Sequence, residues 1–168
     1  IDLPVSEWAI RQGLSAVSVA GRCQHIQLGG IEVVLDVAHN PASVQALRDH
    51  LDARSVAGRT ECLFAVMADK DIAEIIRIIQ PCFAHWSLAP LLENERAAQP
   101  EQMQTLLLER GIRQVTLASS FSESVNIALS RLSTGDRLVI FGSFFTVAAA
   151  MTEIADISQA RIKTVGES

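Results

Sequence analysis

The segment VVLDVAHNP, residues 33–41, ends an apolar run in three side chains that can do chemistry: Asp36, His39 and Asn40. The carboxylate can accept hydrogen bonds from ribose hydroxyls or orient a neighbour, and the other two offer donors beside the predicted start of a helix. Backbone amides and the helix dipole favour an anion there. One of these residues would be enough to cap the helix, so the presence of three favours a binding site.

Lys70 lies between Asp69 and Asp71 in the segment MADKD, after a second apolar run. A fixed ammonium group at a strand end can meet a carboxylate or a phosphate. A solvated loop in which Asp69 or Asp71 caps the next helix explains the same residues equally well. This segment alone does not decide between a site and a plain loop.

Ser143 lies in a third such segment, GSFFT, after the most hydrophobic run of the chain. Gly142 permits close backbone approach and Ser143 offers a hydroxyl, but a plain strand-to-helix turn with Thr146 near the cap explains both. No GxSxG pattern surrounds Ser143, so a hydrolase nucleophile is unsupported.

The two common phosphate-binding loops, GxxxxGK[ST] and GxGxxG, do not occur in this sequence. If the protein uses a nucleotide, another domain must supply the main phosphate contacts. Arg22, after Gly21, can reach a phosphate, although an isolated arginine is usually a surface residue.

The elements that must position these residues alternate between β-rich runs and helical periodicity. Gly29-Gly30 suits a tight hairpin turn between the first two runs. Pro41 suits the first turn of a helix in which Leu47 and Leu51 share one face. The predicted strands span residues 18–28, 31–38, 62–67, 83–89, 114–118 and 137–142, and the predicted helices span residues 6–13, 41–54, 71–80, 100–110, 122–132 and 146–157.

The order of these elements predicts an α/β fold. Strands joined by crossover helices of about 10 residues are parallel in nearly all cases, and continuous apolar strands indicate burial on both faces. We therefore predict a three-layer α/β/α Rossmann-like domain whose mostly parallel sheet has an antiparallel hairpin at one edge. Ligands of such sheets lie beyond the carboxyl ends of the strands, which selects the DVAHNP, MADKD and GSFFT loops.

Composition excludes several classes of protein. The 168-residue chain is 49% hydrophobic and 20% charged, which argues for one folded domain and against disorder. Its net charge of -5 argues against nucleic acid as a partner. No apolar run reaches the ~18 residues of a membrane span, and the start does not resemble a signal peptide. We predict a cytoplasmic protein with no membrane partner.

The cysteines and histidines are not spaced for a metal site. The chain has three cysteines, Cys23, Cys62 and Cys82. Because their number is odd and their spacing is not that of a disulfide or metal pair, we expect reduced thiols. The four histidines lack the i, i+4 spacing of a helical zinc pair, so a metal bound by this chain alone is not expected. The chain opens IDLPVSEWAI, without methionine, which we interpret as a cut in a larger protein.

Several short motifs occur in a specific order: GR and then Gln24, LDVAHNP, DKD, APL with Arg96, and GSFFTV, within residues 21–147. The ordered set resembles the C-terminal domain of the folylpolyglutamate synthase and dihydrofolate synthase family, a branch of the Mur ligase superfamily. The resemblance implies that residues 1–168 are a Mur ligase-type C-terminal domain, a fragment whose N-terminal P-loop ATPase domain is its partner. The fragment alone is expected to be inactive.

The resemblance also implies a reaction, an ATP-dependent ligation with Mg²⁺ held mainly by the N-terminal domain. The carboxylate of dihydropteroate or folate takes the γ-phosphoryl group, and the amine of L-glutamate attacks the acyl phosphate to give an amide. The implied catalytic residue is His39. The residues implied to contact ATP are Arg22, Asp36, His39 and Asn40, and those implied to hold a glutamate carboxylate are Lys70 and Ser143.

Two positions depart from the family pattern. Ala20 stands where the family often has proline, and Phe145 stands where GSFHTV would have histidine, which removes a possible donor near the glutamate site. Two further hypotheses are a peptidoglycan Mur ligase C-terminal domain and a non-catalytic α/β binding module. The LDVAHNP and GSFxTV pair favours the folate branch over the peptidoglycan branch.

Overall fold

A six-stranded sheet forms the centre of the computed structural model, which describes residues 6, 8 and 19–166, with side chains up to residue 160. The predicted helix at residues 6–13 lies largely outside the described residues. The strands are β1 (Gln24–Leu28), β2 (Ile31–Asp36), β3 (Thr60–Phe64), β4 (His85–Leu88), β5 (Val115–Leu117) and β6 (Arg137–Phe141). The helices are α1 (Pro41–Asp52), α2 (Ile72–Ile79), α3 (Pro100–Glu109), α4 (Phe121–Ser130) and α5 (Phe144–Gly166), with a 3-10 turn at Gln80–Cys82.

The first two strands form the predicted hairpin at one edge of the sheet. Leu28 pairs with Ile31 across the turn, where Gly29 and Gly30 have φ angles of 60° and 85°. Only glycine adopts such angles readily, which is why this dipeptide permits the tight turn. β1 begins at residue 24 rather than at the predicted residue 18, because the positive φ of Cys23, 40°, interrupts the extended backbone.

The remaining strands run parallel, and the order across the sheet is β1-β2-β6-β3-β4-β5. The chain moves outward from β3 to β5 and then returns to insert β6 between β2 and β3. Since crossovers are right-handed, this reversal moves the chain to the other face of the sheet. One apolar cluster contains residues of α1, α2 and α3, and the other contains residues of α4 and α5. The predicted three-layer α/β fold with its antiparallel edge hairpin is confirmed.

The central strand β6 is buried along its whole length, as the apolar residues 138–141 indicate, and the burial includes Arg137 at its start. Phe141, its last residue, stacks on Phe64 of β3 with ring centroids 4.7 Å apart. Trp86 of β4 meets Phe64 edge-on at 5.8 Å. Because such cores are densely packed, the loops that leave these strands start from closely constrained positions.

Two histidines at the other end of the sheet, His85 and His50, have lowered pKa values. His85 accepts a hydrogen bond at Nδ1 from Arg131, at 3.0 Å, and its Nε2 lies 2.9 Å from the Thr116 hydroxyl. Burial and the charge of Arg131 lower the pKa of His85. Burial and the charge of His25 lower the pKa of His50, whose Nε2 lies 2.8 Å from that of His25.

We expect the chain to lose stability as the pH falls below the usual histidine pKa of about 6.5. Because the folded-state pKa values of His50 and His85 are lowered, the unfolded chain binds more protons in that window, and the free energy of unfolding therefore rises with pH. Urea denaturation followed by circular dichroism at about pH 7.5 and about pH 5.5 measures this. The double variant His50→Gln/His85→Gln should show a smaller difference between the two pH values, and an unchanged difference would contradict the assignment.

Candidate functional site

The carboxyl ends of β2, β6 and β3 lie side by side. Asp36 pairs with Phe141, and Phe141 pairs with Phe64, so the three strands end at the same level. The loops that follow them, residues 37–40, 142–143 and 65–71, therefore meet at one edge of the sheet. The three polar segments selected from the sequence are neighbours in space.

A pocket of about 200 Å³ opens at this edge. It brings together three of the predicted site residues, His39, Lys70 and Ser143, and adds Arg96, which the sequence indicated only as part of a motif. The remaining lining residues are Met67, Gly142, Phe144 and Phe145. Since the lining contains cations and hydrogen-bond donors but no carboxylate, the pocket suits an anionic ligand.

His39 has one ring nitrogen fixed by the backbone. Its Nδ1 lies 2.8 Å from the carbonyl oxygen of Val37. A carbonyl only accepts, so Nδ1 carries a proton and donates it. Nε2 is therefore the ring atom available to a ligand, as an acceptor in the neutral ring and as a donor in the charged ring. The His39 amide also donates to Ser43 Oγ at 3.2 Å, which joins the residue to the first turn of α1.

Asp69 lies between the two cations of the pocket. Its Oδ2 accepts a hydrogen bond from Lys70 Nζ at 2.9 Å and lies 3.5 Å from the guanidinium group of Arg96. The hydrogen bond from Lys70 lowers the pKa of Asp69, so this carboxylate is charged at neutral pH. All three side chains are partly exposed, and exposed ion pairs contribute little to stability. These ion pairs therefore add little to the stability of the fold.

Arg96 is brought to the pocket by a backbone connection between two loops. Met67 and Ala97 form an antiparallel bridge, and the amide of Ala68 donates to the carbonyl of Arg96 at 2.8 Å. The loop after β4 is thereby tied to the loop after β3 that contains Lys70. No local sequence pattern signals this contact, and only the family motif singled out Arg96.

Ser143 caps α5, and its hydroxyl proton is already used. Its Oγ accepts the amide proton of Thr146 at 3.0 Å and lies 2.7 Å from Thr146 Oγ1. The Thr146 hydroxyl donates to the carbonyl of Ala65 at 2.6 Å, so the proton between the two hydroxyls belongs to Ser143. The sequence placed Thr146 near the cap but gave no sign that it joins α5 to the loop after β3.

Asp36 is buried and orders the backbone around it. Its Oδ1 accepts the amide proton of Ala38, and its Oδ2 accepts that of Cys23, both at 2.7 Å. Burial and then the charge of Asp36 raise the pKa of the Cys23 thiol to about 12, so the thiol stays protonated and donates to the same carboxylate at 3.3 Å. Asp36 thus ties the turn before β1 to the segment that leads into His39.

Arg22 lies at this edge of the sheet but does not line the pocket. The turn that contains it is joined to the end of β2, because the amide of Val37 donates to the carbonyl of Gly21 at 2.8 Å. Gly21 has a φ of 72°, and a Cβ there would lie 2.9 Å from the side chain of Val147. Glycine therefore lets the turn pack against α5, which leaves the Arg22 side chain exposed.

Asn40 is the N-cap of α1 and also lies outside the pocket lining. Its Oδ1 accepts the amide proton of Ser43 at 3.0 Å, and the amide of Asn40 donates to Ser43 Oγ at 3.2 Å. This reciprocal pair is a capping box and orients the first amides of α1 toward the edge of the sheet. The sequence left open whether such a residue caps the helix or binds a ligand. These contacts show the capping role for Asn40.

An apolar patch formed by Leu92, Phe144 and Phe145 adjoins the pocket. These side chains are 76%, 62% and 58% exposed, respectively. Phe145 also forms a wall of a neighbouring pocket of about 460 Å³, which Leu91 and Phe121 line on other sides. Clustered exposure of large apolar side chains marks a surface that meets another molecule or domain.

The described part of the chain contains neither a metal-binding cluster nor a membrane-spanning helix. Within the described residues, no group of three or more His, Cys, Asp and Glu side chains is arranged to hold a metal ion. In the same part of the chain, no helix has both the length and the apolar character needed to cross a membrane.

The fold is a doubly wound α/β domain, and the lining of the pocket where its central strands end suits an anion. Residues 21–144 match the family described as Mur ligase, glutamate ligase domain. The chain belongs to this family, and the topology and the order of its loops agree with that membership.

Its relatives include enzymes of folate metabolism. The dihydrofolate synthase/folylpolyglutamate synthase of Escherichia coli strain K12 is 33% identical over 152 residues, which cover 90% of this chain and 34% of the relative. The Yersinia pestis folylpolyglutamate synthase/dihydrofolate synthase with Mn, AMPPNP and L-glutamate bound has a TM-score of 0.79 at 32% identity, covering 92% and 36% of the two chains. E. coli FolC in complex with DHPP and ADP has a TM-score of 0.78 at 30% identity, covering 94% and 36%. The chain spans about a third of the length of these relatives.

Proposed function

We propose that this chain is the C-terminal domain of a longer ATP-dependent amide ligase that adds L-glutamate to dihydropteroate, to folate, or to both. The observation that supports this most directly is the pocket in which His39, Lys70 and Arg96 converge without a carboxylate in the lining. The Y. pestis relative holds Mn, AMPPNP and L-glutamate, which correspond to the metal, the nucleotide and the amino acid of such a reaction but not to its acceptor.

We propose that Arg22 and His39 contact the phosphates of ATP. Both belong to turns joined to the end of β2, one through Gly21 and the other through Val37. Bound ATP supplies the phosphoryl group that converts the acceptor carboxylate into an acyl phosphate. Positioned cations and donors stabilise the charge that develops in such a transfer. We place the Mg²⁺ ligands mainly in the N-terminal domain.

Asp36 and Asn40 support the nucleotide site in different ways under this proposal. Asp36 uses both carboxylate oxygens on backbone amides and so orients the segment that leads into His39. Asn40 caps α1, whose amino-terminal amides and dipole favour a phosphate. Their contribution to ATP binding is therefore mainly the positioning of other groups.

Lys70 and Ser143 are the residues that we propose for a carboxylate of glutamate. Lys70 would exchange its hydrogen bond to Asp69 for one to the substrate. Ser143 donates to such a carboxylate only if its proton turns away from Thr146. Lys70 is therefore expected to contribute more to glutamate binding than Ser143, because its ammonium has further protons to donate.

The partner that we propose for the patch of Leu92, Phe144 and Phe145 is the N-terminal ATPase domain of the longer protein. The patch adjoins the pocket, and the chain spans about a third of its relatives, so most of the protein remains to cover it. The three cysteines are free thiols, which fits the reducing cytoplasm, where we place this protein.

The full-length protein should release ADP only when ATP, L-glutamate and dihydropteroate or folate are all present. Lys70→Ala should raise KM for glutamate about 10-fold or more, because a charge-assisted hydrogen bond is lost, and should change KM for ATP much less. A coupled ADP assay with chromatographic detection of the glutamylated product measures both effects.

The matched control is Arg77→Ala, which removes an exposed arginine of α2 that pairs with Glu74 and leaves the pocket intact. It should keep both KM values. Release of ADP without the glutamylated product, or a Lys70→Ala enzyme with unchanged KM for glutamate, would overturn the corresponding part of the proposal.

A further inference from the structure

The pocket contains a second cation whose position calls for a ligand of its own. Lys70 and Arg96 approach the same oxygen of Asp69, at 2.9 Å and 3.5 Å, and both line the pocket beside His39. Resting on the proposed function, we propose that Arg96 determines specificity. Arg96 binds one carboxylate of a dicarboxylic amino acid while Lys70 binds the other.

The backbone around Arg96 is fixed, whereas its side chain is accessible. The amide of Ala98 donates to the carbonyl of Val66 at 2.9 Å, and both Ala97 and Ala98 are buried. The Arg96 side chain is 70% exposed. The guanidinium group can therefore turn from Asp69 to a ligand without any movement of the loop that holds it.

The two cations come from different strands, which separates their contacts with a ligand. Lys70 follows β3, and Arg96 follows β4. The planar guanidinium group matches a carboxylate with two parallel hydrogen bonds, whereas the ammonium group acts as a point charge. A ligand with two carboxylates satisfies both cations, while a ligand with one leaves a cation paired only with Asp69. Such an unmatched group is a common basis of discrimination.

Asp69 acts as an internal counter-ion in this arrangement. Its carboxylate holds both cations near the pocket, but it is not part of the pocket lining. Each cation therefore keeps a partner when no substrate is bound. When a dicarboxylate enters, each cation exchanges the shared, exposed carboxylate of Asp69 for a substrate carboxylate of its own. This exchange favours a substrate with two negative charges.

The test compares three amino acids in the full-length enzyme. L-glutamate has both carboxylates, L-glutamine lacks the side-chain carboxylate, and L-isoglutamine lacks the α-carboxylate. Arg96→Gln should lower kcat/KM for glutamate about 10- to 100-fold, the range for a charge-assisted hydrogen bond, and should abolish the discrimination against one of the two amides. Lys70→Ala should abolish the discrimination against the other amide, and Arg96→Lys should restore part of the loss caused by Arg96→Gln.

The outcomes separate this inference from the proposed function. The inference is overturned, and the function stands, if the wild-type enzyme ligates glutamate but Arg96→Gln keeps all the wild-type preferences. The same holds if Arg96→Gln loses the discrimination against the same amide as Lys70→Ala does. If the wild-type enzyme ligates none of the three amino acids, both are overturned. Arg77→Gln, away from the pocket, should retain the wild-type preferences.

Discussion

Replacing His39 by alanine in the full-length protein should lower kcat about 100- to 1,000-fold, the usual effect of removing a positioned donor from a transition state. The ring is held through Nδ1 by the carbonyl of Val37, so Nε2 is the atom left for the reacting groups. KM for glutamate should change little, because Lys70 and Arg96 provide the carboxylate contacts. ADP release at saturating substrate measures the loss of turnover.

The control for this experiment is His50→Gln. His50 lies in the last turn of α1, whereas His39 precedes its first turn, so the two histidines are at opposite ends of the same helix. This variant should retain the wild-type kcat. Undiminished turnover in His39→Ala would remove His39 from the proposed site, and a loss of kcat in both variants would indicate damage to α1 rather than to the chemistry.

Replacing Gly142 by alanine should destabilise the domain by at least about 3 kcal/mol, since a strained backbone conformation and a steric overlap act together. Gly142 has a φ of 127°, and a Cβ there would lie 2.3 Å from the carbonyl oxygen of Ala65 and 3.1 Å from the ring of Phe64. The carbonyl of Ala65 cannot move away easily, because it accepts the hydroxyl proton of Thr146. Urea denaturation measures the change in the free energy of unfolding.

Gly111→Ala separates strain from overlap. Gly111 also has a positive φ, 78°, but among the described residues no heavy atom beyond its chain neighbours lies within 4 Å of the position of its Cβ. Only the backbone strain of about 1–2 kcal/mol should therefore appear. Equal losses of unfolding free energy in the two variants would show that the close approach of Gly142 to Ala65 does not matter. A clearly larger loss for Gly142→Ala would show that this close approach is needed to pack the two loops of the pocket.

Local sequence signals predicted the turns and helix starts that depend only on neighbouring residues. Gly29-Gly30 predicted the hairpin turn, and Asn40 with Pro41 predicted the start of α1. The predicted strand at residues 62–67 was too long, because the structure ends β3 at Phe64. The buried residues that follow bond to distant partners, as Ala65 does to Thr146, and apolar character alone cannot distinguish such residues from a strand.

The residues that line the pocket were predicted in part. His39, Lys70 and Ser143 were found from the rule that ligands bind where parallel strands end, and the structure places all three in one pocket. Arg96 entered the pocket through a bridge between two loops, which leaves no periodic signal in the sequence. The use of the Ser143 proton likewise depends on the carbonyl of Ala65, a residue far away in the chain.

The sequence by itself determined the fold class and the family resemblance, because alternating periodicity, turn residues and ordered motifs are local properties that can be read along the chain. Only the tertiary structure decided which polar residues lie together. The insertion of β6 between β2 and β3 is a non-local pairing, and it is what brings the loops of His39, Ser143 and Lys70 to one edge. The same packing directs Asp36 to the backbone and leaves a pocket in which cations and donors lie beside apolar side chains.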